Sequence, residues 1–279
     1  MKLLRFGPIG KERPGLLDAA GTIRDLSGIV ADIDGGTITP ESLARLRALD
    51  PASLPRVEGN PRLGACVARP GKFVCIGLNY ADHAAETGAA IPDEPIVFMK
   101  ATSALSGPND PILKPRGSTK LDWEVELAFV VGSECRYVDE AEATAAIAGY
   151  FVCNDISERA FQLQSSQWDK GKGCDSFGPI GPWLVTPDEI GDLADLHMWL
   201  EVNGKRYLDG STSTMIFRPA FILSYLSRFM SLQPGDVVTT GTPPGVGLGQ
   251  KPNVWLNPGD RVSLGIAGLG EQHQLVVDA

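Results

Sequence analysis

The sequence predicts an α+β protein, predominantly β, with a mixed or antiparallel sheet at its core. Two observations carry that class. The 279 residues include 32 glycines and 21 prolines, which implies many turns and loops. Short apolar or alternating runs outnumber stretches of helical period, and many are joined by hairpin-length turns. With 43% hydrophobic and 21% charged residues, the chain can bury a sizeable core. A segment rich in Pro, Gly and Arg, 50–70, reads as a surface linker. It separates a small leading unit (residues 1–70 with the linker) from a larger unit, residues 71–279.

The leading unit reads as short strands at 3–6, 15–18 and 22–25, then a helix through Leu49 that Thr39 caps and Pro40 opens. The larger unit starts with a buried strand at 73–78, a helical turn at 79–87 (NYADHAAET) and a strand at 96–99. In 121–131 (LDWEVELAFVV), Val125, Leu127, Phe129 and Val131 alternate with other residues and mark one strand. A helix at 138–148 follows, with Asp139 as N-cap, Glu142 three residues on and Gly149 at its end. The apolar run 150–153 ends on Asn154-Asp155, and a minor helical turn opens at 186–188. Asn203-Gly204 favours a type I′ turn, so 199–207 is a hairpin. Phe221, Ile222, Tyr225, Leu226 and Phe229 share a face of a helix at 218–230, and strands follow at 236–240 and 261–266.

The formal charge of −9 argues against a nucleic acid or an anionic membrane as partner. The opening MKLLRFGPIG has no apolar core long enough for a secretion signal, and no later run is long enough to span a bilayer. The five cysteines are odd in number and form no C-x-x-C, so they read as reduced packing residues of a cytoplasmic protein. Cys174, in a Gly-rich loop, is the one candidate nucleophile among them.

Alternation puts Glu124 and Glu126 on one strand face, beside Asp122. Like charges so placed repel unless something positive lies between them. Asp155 adds a third carboxylate from a strand end, and three oxygen ligands on rigid elements suit Mg²⁺ or Mn²⁺. Taken alone, the Glu-x-Glu pair is more simply the wet face of an antiparallel strand, where such alternation is common. His83 and Glu86 stand at i and i+3, where the carboxylate can fix the imidazole's tautomer and make it a general base, although a surface helix pair has the same spacing. Lys172 lies between glycines, where it can stabilise an oxyanion or enolate, or simply occupy a solvated turn. Arg159 and Gln162, one helical turn beyond Asp155, can face the same cleft, and Lys100 is a further anion contact. Thr242, in TTGTPPGVG (239–247), can hydrogen-bond a carboxylate.

Taken together, CIGLNYADHAAE, PIVFMKATSALSGPND, DWEVELAFVVG, CNDISERAFQ, KGKGCDSFGPIGPW and TTGTPPGVG resemble the fumarylacetoacetate hydrolase family. They fall in the family's order and cover nearly everything from Gly71 onward. The resemblance implies a mixed β-roll or sandwich catalytic domain, a small N-terminal domain, and a homodimer dependent on Mg²⁺ or Mn²⁺. By position it implies Glu124, Glu126 and Asp155 as metal ligands and His83 with Glu86 as the water-activating dyad, on a lid over the substrate. Lys172 would stabilise developing charge, Arg159, Gln162 and Thr242 would hold substrate oxygens, and Ser176 would lie in the metal's outer shell. The implied reaction is hydrolysis of the C3–C4 bond of a small anionic 2,4-dioxo acid, releasing pyruvate. KLLRFGPIGKERPGLLD near the start resembles bacterial members that act on 2,4-diketo-3-deoxy-L-rhamnonate or -fuconate. Oxaloacetate decarboxylase, ureidoglycolate lyase, fumarylpyruvate hydrolase or isomerase activity, and a non-catalytic binding role, remain the alternatives.

Overall fold

The computed structural model describes residues 1–279, the side chain of Thr87 excepted. The Val125–Val131 strand lies at the centre because both its faces are apolar and all its residues are buried. Val125, Leu127, Phe129 and Val131 enter one core, while Ala128 and Val130 enter a second. Each large apolar side chain so buried contributes about 1.5–3 kcal/mol. The strand pairs antiparallel with Ile147–Asn154 on one side and Val237–Thr239 on the other.

The sheet around it continues outward through Gly178–Val185 on one side and Phe73–Gly77, then Ile96–Met99, on the other. The three leading strands, Lys2–Phe6, Arg13–Leu17 and Ile23–Asp25, hydrogen-bond onto Gly178–Val185 and extend the same sheet. A second sheet runs in the order Lys205–Ser211, His197–Val202, Arg261–Ile266, Gly270–Asp278, Ile112–Lys114. Its Leu200, Leu208, Val262 and Leu264 share the first core with Leu127 and Phe129. Parallel pairing of Val237–Thr239 with Phe73–Gly77, and of Gly270–Asp278 with Ile112–Lys114, makes the arrangement mixed, as predicted.

Local chemistry explains most elements. Thr39 accepts from the Ser42 N–H and caps the Pro40–Arg47 helix. Asp139 and Glu142 form a complete capping box on the Glu140–Ala146 helix. Asn203 and Gly204 both take positive φ, 53° and 77°, as a type I′ hairpin turn requires.

Five segments differ from the expectation. The 121–131 strand breaks at Trp123-Glu124: Leu121–Asp122 pairs with Ser157–Glu158, and only Val125–Val131 joins the large sheet. The helix ending near 148 stops at Ala146, because Ile147 already has extended backbone, and Gly149 lies in the next strand. A Cβ on Gly149 would sit 2.6 Å from the Val185 carbonyl oxygen, so close strand approach, not a helix cap, explains that glycine. The 218–230 helix is confined to Pro219–Leu226, with Ile222, Leu223 and Leu226 buried and Phe229 64% exposed. Residues 65–68 are buried and not part of a surface linker. Gly178–Val185 (GPIGPWLV) is a strand of the large sheet that its two prolines and two glycines conceal.

Candidate active site

Strand parity delivers the acidic cluster. Glu124 and Glu126 stand on the same side of the chain, and Asp155 follows the paired strand Ile147–Asn154. The Asp155 N–H donates to the Glu124 carbonyl at 2.8 Å, and the Glu124 N–H donates to Asn154 Oδ1 at 3.1 Å. These bonds lock the two strand ends together. One carboxylate oxygen from each of Glu124, Glu126 and Asp155 lies within 4.8 Å of the others, and all three residues are buried.

Three cations surround the cluster. Lys172 Nζ donates to Glu124 Oε2 at 2.6 Å and to Asp155 Oδ2 at 2.8 Å. Arg159 donates through Nη2 to Glu124 Oε1 at 2.6 Å and through Nε to Asp122 Oδ2 at 2.8 Å. Lys100 Nζ stands 2.5 Å from Asp155 Oδ1 and donates to the carbonyls of Ile156 and Lys172. The contact with Asp155 is an ion pair, although Oδ1 accepts no aligned hydrogen bond. Four carboxylates (Asp122, Glu124, Glu126, Asp155) thus face three cations, and Glu126 has no Lys or Arg partner among the described salt bridges. Its one backbone donor is the Gly241 N–H at 2.9 Å.

The titrations follow this imbalance. Burial, then the charges of Asp155 and Glu124, raise the Glu126 carboxyl well above its ordinary range. Burial would also raise Glu124, but Lys172 and Arg159 outweigh it and hold that carboxyl low. Burial works against the charged forms of Lys172 and Arg159, yet the neighbouring carboxylates hold both above their ordinary values. An excess negative charge and a hard oxygen donor set, with one oxygen from each of three carboxylates within 4.8 Å of the others, together suit a divalent cation.

A cleft of about 270 Å³ opens over this floor. Glu124, Glu126, Arg159, Gln162, Lys172 and Thr242 line it, and so does His83. His83 Nδ1 lies 3.0 Å from Glu86 Oε2, one turn apart on the Ala81–Thr87 helix. The Gly245 N–H reaches the Glu86 carboxylate at 3.2 and 3.4 Å, and a Cβ on Gly249 would lie 2.7 Å from the carboxyl carbon. The glycine-rich turn after Thr242 therefore seats Glu86. Gln162 Oε1 accepts from Arg159 Nη1 at 3.0 Å, and Thr242 Oγ1 is buried with no hydrogen-bond partner.

All nine candidate residues meet around this cleft, Asp155 and Glu86 from behind its lining. Three other candidates do not join it. Ser176 Oγ accepts from the Leu113 N–H at 2.8 Å, anchoring a strand of the second sheet. Lys100 backs Asp155 instead of facing the cleft. Burial raises the Cys174 thiol, which disfavours the reactive thiolate. Sequence reasoning assigned no role to two contributors. Asp122 accepts from Arg159 and from the N–H groups of Gly247 (2.6 Å) and Leu248 (3.0 Å), tying the glycine turn to the charged floor. Trp168 lines the cleft and packs edge-on against Phe98, with ring centroids 5.2 Å apart. Asp122 carried the weak signal of a carboxylate beside the Glu pair; Trp168 carried none.

Comparison with known proteins places the chain firmly. The family profile described as fumarylacetoacetate (FAA) hydrolase C-terminal matches residues 72–277. A protein of Burkholderia multivorans, provisionally named a hydrolase, is 62% identical over 277 residues, 99% of this chain and 98% of that one. The fumarylacetoacetate hydrolase of Exiguobacterium antarcticum superposes with a TM-score of 0.88 at 35% identity, covering 100% of both chains. The maleylpyruvate hydrolase of Sphingobium sp. SYK-6, solved with manganese(II) and pyruvate, gives 0.84 at 28% identity, again over 100% of both. A 2-hydroxyhepta-2,4-diene-1,7-dioate isomerase from Mycobacterium marinum gives 0.75 at 33% identity, over 100% of this chain and 98% of that one.

Proposed function

The chain belongs to the fumarylacetoacetate hydrolase family, and on that premise we propose that it hydrolyses the C3–C4 bond of a small 2,4-dioxo acid to release pyruvate. The observation that carries this reading is the single cleft holding both a buried three-carboxylate cluster and a His–Glu pair. Glu124, Glu126 and Asp155 would hold Mg²⁺ or Mn²⁺. When bound, the cation supplies positive charge that polarises the 2-oxo group and lowers the energy of the departing enolate.

The chain's own groups do the rest. His83, oriented by Glu86, takes a proton from water as the water oxygen bonds to C4. The C3–C4 bond breaks and its electron pair moves into the enolate of pyruvate. The Lys172 ammonium, already charged among carboxylates, is placed to hydrogen-bond that enolate oxygen. The proton on His83 is then available to C3. Arg159, Gln162 and the unpartnered Thr242 hydroxyl orient the substrate carboxylate.

For the acid itself, the resemblance of the leading segment supports 2,4-diketo-3-deoxy-L-rhamnonate or -fuconate, cleaved to pyruvate and lactate. A homodimer is part of this reading. The Ile96–Met99 strand closes one edge of the large sheet and exposes Val97 and Met99 at 36% and 37%, an edge a second copy can cover. A cytoplasmic location is part of this reading and rests on the odd, unpaired cysteines of the sequence; among the described residues no helix is long and apolar enough to cross a membrane. Pyruvate release from each acid, followed with lactate dehydrogenase in Mg²⁺ and in EDTA, tests the reaction. Release from oxaloacetate alone would make the protein a decarboxylase, and C3 proton exchange without pyruvate would make it an isomerase. Sedimentation of the purified chain tests the dimer.

A further inference from the structure

We infer that the acyl end of the substrate carries no charge and ends in an apolar group, so the enzyme selects dioxo monocarboxylates against the corresponding dicarboxylates. This rests on the acylpyruvate reading above and narrows it. The cleft has two unlike parts. Its floor is charged, as described. One wall is apolar and continuous. Ile96 pairs with Gly77, Phe98 meets Trp168, and the Trp168 ring lies so close to Gly77 that a Cβ there would come within 2.5 Å of it. Leu163 and Leu248 extend this lining toward solvent, at 62% and 37% exposure.

Among the described residues, the cation against that wall is Lys172, whose ammonium lies 5.1 Å from the centre of the Phe98 ring. The two cations that line the cleft, Arg159 and Lys172, are both committed to floor carboxylates. A second substrate carboxylate held against Phe98 and Trp168 would therefore lose water without gaining a partner, and burying a charge in that way is strongly unfavourable. A methyl end would instead gain contact area there. The solved relatives named for maleylpyruvate and for a 1,7-dioate are named for dicarboxylic acids, so the inference gives this chain a different preference from the one those names carry. The methyl-terminated deoxy-sugar acids carry a single carboxylate and satisfy the same requirement.

The test compares 2,4-dioxoheptanoate with 2,4-dioxoheptanedioate, which differ only in a terminal methyl against a carboxylate. Binding to the Mg²⁺-loaded protein is measured by titration calorimetry, and pyruvate release is measured beside it. The monoacid is expected to be favoured roughly a hundredfold in both. Leu163→Arg and Leu248→Arg, at exposed rim positions, should each narrow that gap by about tenfold by offering the dioate a cation. Equal or tighter binding of the dioate, failure of both acids to bind, or a gap that neither folded variant changes, would overturn the inference. Tighter binding of the monoacid without pyruvate would leave it standing and would refute hydrolysis instead.

Discussion

The charged floor and the His83–Glu86 helix share one cleft but are built differently. The floor stands on two central strands, is buried throughout, and is held by ion pairs of 2.5–2.8 Å. The Ala81–Thr87 helix has seven residues, no side-chain N-cap bond and a left-handed Gly88 at its end. Its His83 and Glu86 side chains are 12% and 21% exposed, and Glu86 rests on the Gly245–Gly249 turn. Charge binding is thus fixed by the fold itself, whereas the proposed proton transfer hangs on a short surface element. Substitutions in the helix should touch rate alone, and substitutions in the floor should touch stability and cation binding together.

The largest effect that can break this contrast is on rate. His83→Ala should lower pyruvate release by about 10²–10⁴-fold, the usual contribution of a general base. Its cation affinity, measured by calorimetry, should stay within a few-fold of the parent. Unchanged turnover would remove the dyad from the mechanism. Next comes Lys172→Met, which leaves Glu124 and Asp155 without their shared partner. A loss of about 3–5 kcal/mol in EDTA is expected, with part of it recovered by Mg²⁺. Identical melting curves would contradict the buried network.

Glu126 sharpens the comparison through pH. Its carboxyl is raised above the ordinary 4.5, so between that value and its own the folded protein holds a proton that the unfolded chain has lost. In EDTA, stability should therefore fall as pH rises through this window, and Glu126→Gln should flatten the slope. A cation bound there must displace that proton, so its affinity should weaken as the pH falls. The smallest effect belongs to Gly249→Ala, whose methyl would press on the Glu86 carboxylate. A several-fold drop in kcat at unchanged cation affinity is expected, and an unchanged kcat would show that Glu86 need not be held there.

Much of this was legible in the sequence where local rules govern. The Thr39 cap, the Asp139–Glu142 box, the Asn203-Gly204 turn and the shared side of Glu124 and Glu126 all follow from neighbouring residues. What failed was set by distant partners. Gly178–Val185 is a strand because flanking strands accept a segment that its prolines disfavour. The Trp123-Glu124 break exists because Ser157–Glu158 captures Leu121–Asp122. Lys100 faces Asp155 and not substrate because of packing across the core, and Trp168 becomes a cleft wall only when Phe98 arrives beside it.

The most direct test is pyruvate release from a panel of 2,4-dioxo acids, coupled to lactate dehydrogenase, with Mg²⁺ and with EDTA. Pyruvate that appears with Mg²⁺, vanishes in EDTA and is lost in His83→Ala is the predicted result. Pyruvate formed equally in EDTA, or none from any acid in the panel while the cation is bound, would contradict it.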